Sequence, residues 1–129
     1  MMVNKSTIEK LGSNITLLIL TVLLYNCSNP GKVEFSTDYL KIQISKGGFI
    51  TSMQNIGKEP YREFSPLDKP SPLMQLYDGK KKVFYEPVSA KFSEEDQAIT
   101  LSYSNGSVAQ VSVTTQEKYL KFTLQSLAP

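Results

Sequence analysis

The sequence predicts an all-β, antiparallel fold, a strand meander forming part of a β-sandwich, preceded by a helical signal segment. Three observations carry this. Apolar residues alternate with polar ones over several short runs between Leu40 and Leu124, the period of a strand with one buried face. Turn-forming pairs such as Gly47-Gly48, Asp78-Gly79 and Asn105-Gly106 separate those runs. No apolar stripe of helical period runs through the body.

The elements follow in order. Leu40, Ile42 and Ile44 alternate with Lys41, Gln43 and Ser45, and Lys46-Gly47-Gly48 makes a turn. Phe49 to Met53 is a second strand, closed by the breaker-rich stretch Asn55 to Pro60. Residues 65–72 contain three prolines, which have no N–H to give to a ladder and predict an irregular loop. Leu73 to Tyr77 is apolar again and ends at Asp78-Gly79; Val83-Phe84-Tyr85 is a short strand, after which Pro87 is expected to interrupt pairing. Val88, Ala90 and Phe92 alternate up to the acidic turn at Glu94, Glu95 and Asp96.

Ile99, Leu101 and Tyr103 face Ala109, Val111 and Val113 across Asn105-Gly106. A two-residue loop would pair Leu101 with Gln110 and split the apolar stripes between opposite faces. A three-residue loop, Ser104-Asn105-Gly106, pairs Leu101 with Ala109 and Ile99 with Val111, which keeps both stripes on one face. The reading is therefore a three-residue loop with Gly106 left-handed at a G1 bulge. Glu117-Lys118 marks the next turn, and Leu120, Phe122 and Leu124 form the last strand. A single sheet of this kind would expose an apolar face unless a second layer covered it. With Ala128-Pro129 directly after the last strand, the expectation is an N-terminal piece of a longer protein.

The N-terminus differs in kind. Lys5 and Lys10 precede Ile15 to Leu24, an apolar run broken only by Thr16 and Thr21. It has the length of a signal-peptide core and falls short of the roughly 20 apolar residues that cross a bilayer. Leu24-Tyr25-Asn26-Cys27 follows, then the polar Ser28-Asn29-Pro30-Gly31. This layout resembles the lipobox of bacterial lipoprotein precursors: Leu24 stands three before Cys27, while Tyr25 and Asn26 depart from the usual small residues. The resemblance implies that Cys27 is acylated before cleavage. Cys27 is also the only cysteine in the chain, so it has no partner for an intramolecular disulfide. The competing readings are an uncleaved membrane anchor and ordinary signal cleavage near Cys27. The expected organisation is a signal peptide over 1–26, a tether over 27–32 and a β-sandwich domain over 33–129. The protein would then be exported and held at the cell envelope, on the outer membrane or its periplasmic face, by a palmitate-bearing lipid anchor.

The chemical inventory is sparse. The chain has 129 residues and a formal net charge of +2, with no histidine and no tryptophan. Such a charge exerts no strong pull on nucleic acid or an anionic membrane, and Lys80-Lys81-Lys82 reads as a solvated turn, with a phosphate or polyanion site as the competing reading. Lacking histidine and spare thiols, the sequence offers no histidine or thiolate metal ligands, no cofactor motif and no recognisable catalytic set, with a calcium or catalytic role for Glu94, Glu95 and Asp96 the minor alternative to a solvated turn. Carboxylates are scattered, and the Glu94 to Asp96 run sits in a turn. Aromatic side chains are the remaining resource, since their faces suit the apolar C–H patches of sugar rings. Tyr61, Tyr77, Tyr85 and Glu86 are the candidate glycan contacts, with core or sheet-surface packing as the competing role for each tyrosine.

Tyr39-Leu40-Lys41-Ile42, the stretch from Lys46 to Met53, Gly57 to Tyr61 and Pro72 to Leu76 carry a second resemblance. Over Val33 to Leu127 the body is similar to the N-terminal β-sandwich of large exported glycoside hydrolases, a galactose-mutarotase-like supersandwich. That resemblance implies an accessory, carbohydrate-associated domain, non-catalytic by itself, packed against a following catalytic domain and near a polysaccharide. The alternative is a complete small envelope lipoprotein with a partner-binding or structural role.

Cells producing the chain should incorporate labelled palmitate into it, and Cys27→Ser should abolish that label; undiminished labelling of the variant would exclude lipidation at this position.

Overall fold

The computed structural model describes residues 31–129; the expected signal peptide over 1–26, Cys27 and the expected tether as far as Pro30 lie outside the described residues. Alternation becomes strand as expected. The strands are β1 (Lys32–Ser36), β2 (Leu40–Ser45), β3 (Phe49–Asn55), β4 (Arg62–Glu63), β5 (Ser71–Pro72), β6 (Leu76–Asp78), β7 (Val83–Tyr85), β8 (Pro87–Ser93), β9 (Ala98–Tyr103), β10 (Val108–Thr115) and β11 (Leu120–Ala128). Every pairing is antiparallel. One sheet runs β1-β2-β3-β4 with β5 also on β3, a second runs β11-β10-β9-β8, and β6-β7 is a separate ribbon.

The two larger sheets bury their apolar stripes against each other. Phe35, Ile42 and Ile44 from the first meet Ile99, Leu101, Tyr103, Ala109, Val111 and Val113 from the second. Ile44, Ile99 and Leu101 are the largest side chains removed completely from water, each contributing on the order of 2 kcal/mol or more. Strand β1 lies outside the expected set and starts at Lys32, the last residue assigned to the tether. Only Val33 and Phe35 mark it as apolar, yet Phe35 sets its ring edge-on to Phe92 and Phe122, with centroids 5.3 and 6.2 Å away.

The β9-β10 register is the one the shared face demands: Leu101 pairs with Ala109 and Ile99 with Val111. Gly106 has φ +86°, its N–H donates to the Tyr103 carbonyl at 3.0 Å, and the Tyr103 N–H donates to the Ser107 carbonyl at 3.0 Å. The β2-β3 turn repeats the device, with Gly48 at φ +85° donating to the Ser45 carbonyl at 3.0 Å.

One expectation holds and one is corrected around β8. The β6-β7 pairing ends at Tyr85, ahead of Pro87; Pro87 then opens β8 in another sheet, opposite Tyr103, and a register shift lies between Pro87 and Ser89. The shift turns Pro87 inward and leaves Val88 exposed, so the inward stripe starts one residue earlier than plain alternation from Phe92 implies. The proline-rich loop is irregular as expected except at its end, where Ser71 and Pro72 pair with Ile50 and Phe49.

The glycines of the two turns differ in surroundings. A Cβ on Gly48 would fall 2.8 Å from Pro87 Cβ and 3.0 Å from Leu101 Cδ2, whereas Gly106 has nothing within 4 Å. Gly48→Ala should therefore cost about 2 to 5 kcal/mol, combining left-handed strain with overpacking, and Gly106→Ala only about 1 to 2 kcal/mol. Urea denaturation of both variants checks this; equal losses would contradict the close approach at Gly48.

Candidate functional site

The β6-β7 ribbon is hydrogen-bonded as a strand to neither large sheet, so its position depends on its two stems and on the side chains it packs on the core. On the way in, the Leu73 N–H donates to the Gly48 carbonyl at 2.9 Å. The next carbonyl, of Met74, accepts the Tyr103 hydroxyl at 3.1 Å. Tyr103 is buried, and that burial pushes its hydroxyl pKa up. On the way out, Pro87 is buried against Gly48. Both ends of the ribbon thus converge on one corner of the sandwich.

Within the ribbon Leu76 pairs with Tyr85, Tyr77 with Phe84 and Asp78 with Val83. At the tip, Asp78 Oδ1 accepts the N–H groups of Lys81 and Lys80, at 3.1 and 2.9 Å. These bonds hold the half-buried Asp78 carboxyl below the usual aspartate range. Asp78 is occupied in forming the turn, and Lys80, Lys81 and Lys82 are all exposed at the tip.

Alternation then sorts the side chains. Leu76 and Tyr85 face inward and pack on the core. Tyr77 and Phe84 occupy the outer face, their rings 4.8 Å apart at 40°. The same register continued one step brings Gln75 opposite Glu86, and Gln75 Nε2 donates to Glu86 Oε1 at 3.3 Å. The outer face is therefore a column: an amide–carboxylate pair, an aromatic pair, and a lysine tip. A groove of about 310 Å³ follows β6, bordered by Gln75, Tyr77, Asp78, Tyr85, Asn105 and Leu127 among others.

Of the four candidate glycan contacts, the fold brings Tyr77 and Glu86 onto one face. Tyr85 is on the opposite face of the same ribbon and borders the groove. Tyr61 is apart from both, exposed beside β4, where the Arg62 guanidinium sits 5.4 Å from the Phe64 ring centre. The structure adds Phe84 and Gln75, which the sequence reading left out; extending the Asp78-Val83 pairing outward by cross-strand register identifies both. Glu94, Glu95 and Asp96 are exposed, and their turn is closed on itself by Ser93 and Asp96 at 3.1 Å. Asp78 and Glu86 fall on opposite faces of the ribbon, so they do not flank a common glycosidic bond as a catalytic pair does. Among the described residues no three carboxylate, cysteine or histidine side chains gather as for a metal ion.

No protein-family model, no curated protein and no solved structure matches this chain.

Tyr103→Phe removes the hydroxyl that holds Met74, a loss of about 1 kcal/mol. Amide hydrogen exchange over residues 75–86 should accelerate in that variant more than exchange in β9 and β10. Unchanged exchange in the ribbon would show that Tyr103 does not position it.

Proposed function

We propose that the chain is the accessory, carbohydrate-associated β-sandwich of an envelope-anchored glycoside hydrolase, that it is not catalytic by itself, and that it contacts glycan through the outer face of β6-β7. One observation carries the reading. Tyr77 and Phe84 stay 57% and 62% exposed although they pack on each other, and the Gln75–Glu86 pair stands beside them on the same face. Exposed rings next to an amide and a carboxylate supply both halves of sugar recognition, apolar ring faces and hydroxyl partners. Catalysis would reside on a following domain, and Cys27 would tie the assembly to the membrane.

A second reading, a complete small envelope lipoprotein with a partner-binding role, draws on β11. Leu124 and Leu127 pair with Val111 and Ala109, on the core-facing side of the sheet, yet each is about half exposed. They form an apolar ledge along a nine-residue edge strand. That ledge suits a catalytic domain under the first reading and a separate protein under the second.

Calorimetry of the purified full chain against a panel of plant and host glycans separates the two. The first reading expects binding to at least one glycan and a loss of about tenfold or more in Tyr77→Ala/Phe84→Ala, equivalent to about 1.4 kcal/mol, with the circular dichroism spectrum unchanged. Absence of heat with every glycan would remove it in favour of the partner-binding protein.

A further inference from the structure

We propose that the glycan recognised by the β6-β7 face is polyanionic, carrying carboxylate or sulfate groups, and that Lys80, Lys81 and Lys82 bind those anions. This rests on the outer face being the glycan contact and adds its chemical class.

The tip concentrates positive charge on a chain whose formal net charge is only +2. None of its three ammonium groups is in an ion pair among the described residues, where the one such pair joins Lys41 to Glu34 at 3.2 Å, on another sheet. Asp78, the nearest carboxylate in sequence, accepts the N–H groups of Lys80 and Lys81 and offsets part of their charge, so three lysines against one carboxylate leave the tip net positive. Glu86 lies four residues beyond Lys82, roughly 13 Å of extended strand, further than the screening length of about 8 Å at physiological salt. The ribbon is thus polar along its length, with a hydroxyl-binding amide and carboxylate at one end, rings in the middle and cations at the other. An anionic polysaccharide has the complementary sequence of features, ring faces and hydroxyls with negative groups at intervals. An anionic bilayer complements the lysines and the rings, but it presents no array of ring hydroxyls to the Gln75–Glu86 pair.

The test is binding of the full chain to polygalacturonate and chondroitin sulfate, to neutral dextran and xylan, and to phosphatidylglycerol vesicles. An acidic glycan should bind about tenfold or more tightly than the neutral ones, and added salt should narrow the gap. Lys80→Ser/Lys81→Ser/Lys82→Ser should erase the preference. Lys58→Ser/Lys69→Ser/Lys118→Ser, which removes the same charge from other exposed positions, should preserve it. Equal binding of neutral and acidic glycans, untouched by the tip substitutions, overturns the polyanion assignment and leaves the glycan face standing. Failure to bind either class overturns both. Lysine-dependent binding to the vesicles without binding to acidic glycan replaces the polysaccharide with a lipid surface.

Discussion

At Gly48 the backbone comes so close to Pro87 and Leu101 that no side chain fits between them, and the left-handed turn there suits glycine on separate grounds. The same residue's carbonyl takes the Leu73 N–H. One position therefore seats the β2-β3 corner on the second sheet and clamps both stems of the ribbon. The Ala90 N–H, which donates to the Lys46 carbonyl at 2.6 Å, ties the neighbouring edge of β8 to the same corner. Sandwich packing and the placement of Tyr77, Phe84, Gln75 and Glu86 thus meet at one local constraint, to which the Tyr103 hydroxyl on Met74 and the packing of Leu76 and Tyr85 add.

The core obeys a second rule, that paired stripes share a face. Gly106 supplies it at β9-β10 by setting a three-residue loop, and the bulge before Ser89 supplies it on β8 by turning Pro87 inward. At β11 a register shift opposite Gln110 and Val111 keeps Leu124 and Leu127 on the same side. Yet the first sheet does not cover that end of β11, and the two leucines are left as a ledge.

Much of this was legible in the sequence because period and turn chemistry are local. Asn105-Gly106, read with the apolar residues on either side, was enough to give loop length, pairing and the left-handed glycine. The all-β class followed from the same alternation. Other features needed the tertiary structure. Strand β1 has only Val33 and Phe35 to mark it, and their weight comes from rings of β8 and β11 far along the chain. Val88 fits the alternating pattern and is displaced by a bulge that alternation does not signal. The ribbon's aromatic face was half legible: Tyr77 and Glu86 stood out as residue types, while Phe84 and Gln75 join them only through register. Lys80 to Lys82 were visible as a charge run, but their meaning depends on the exposed rings beside them. Cys27 belongs to a segment outside the described residues and rests on its own sequence context.

The proposed glycan face unites these features: a clamp that fixes the ribbon, an alternation that exposes two rings, and a turn that gathers cations at their border. An NMR titration of the isotopically labelled full chain with an oligosaccharide tests it most directly. Amide shifts should centre on residues 75–86 and extend into the lysine tip, with any change on β11 confined to Leu127 at the groove border and Leu124 undisturbed. Shifts centred on Leu124 and Leu127, or on Tyr61, with the ribbon unchanged, would contradict it.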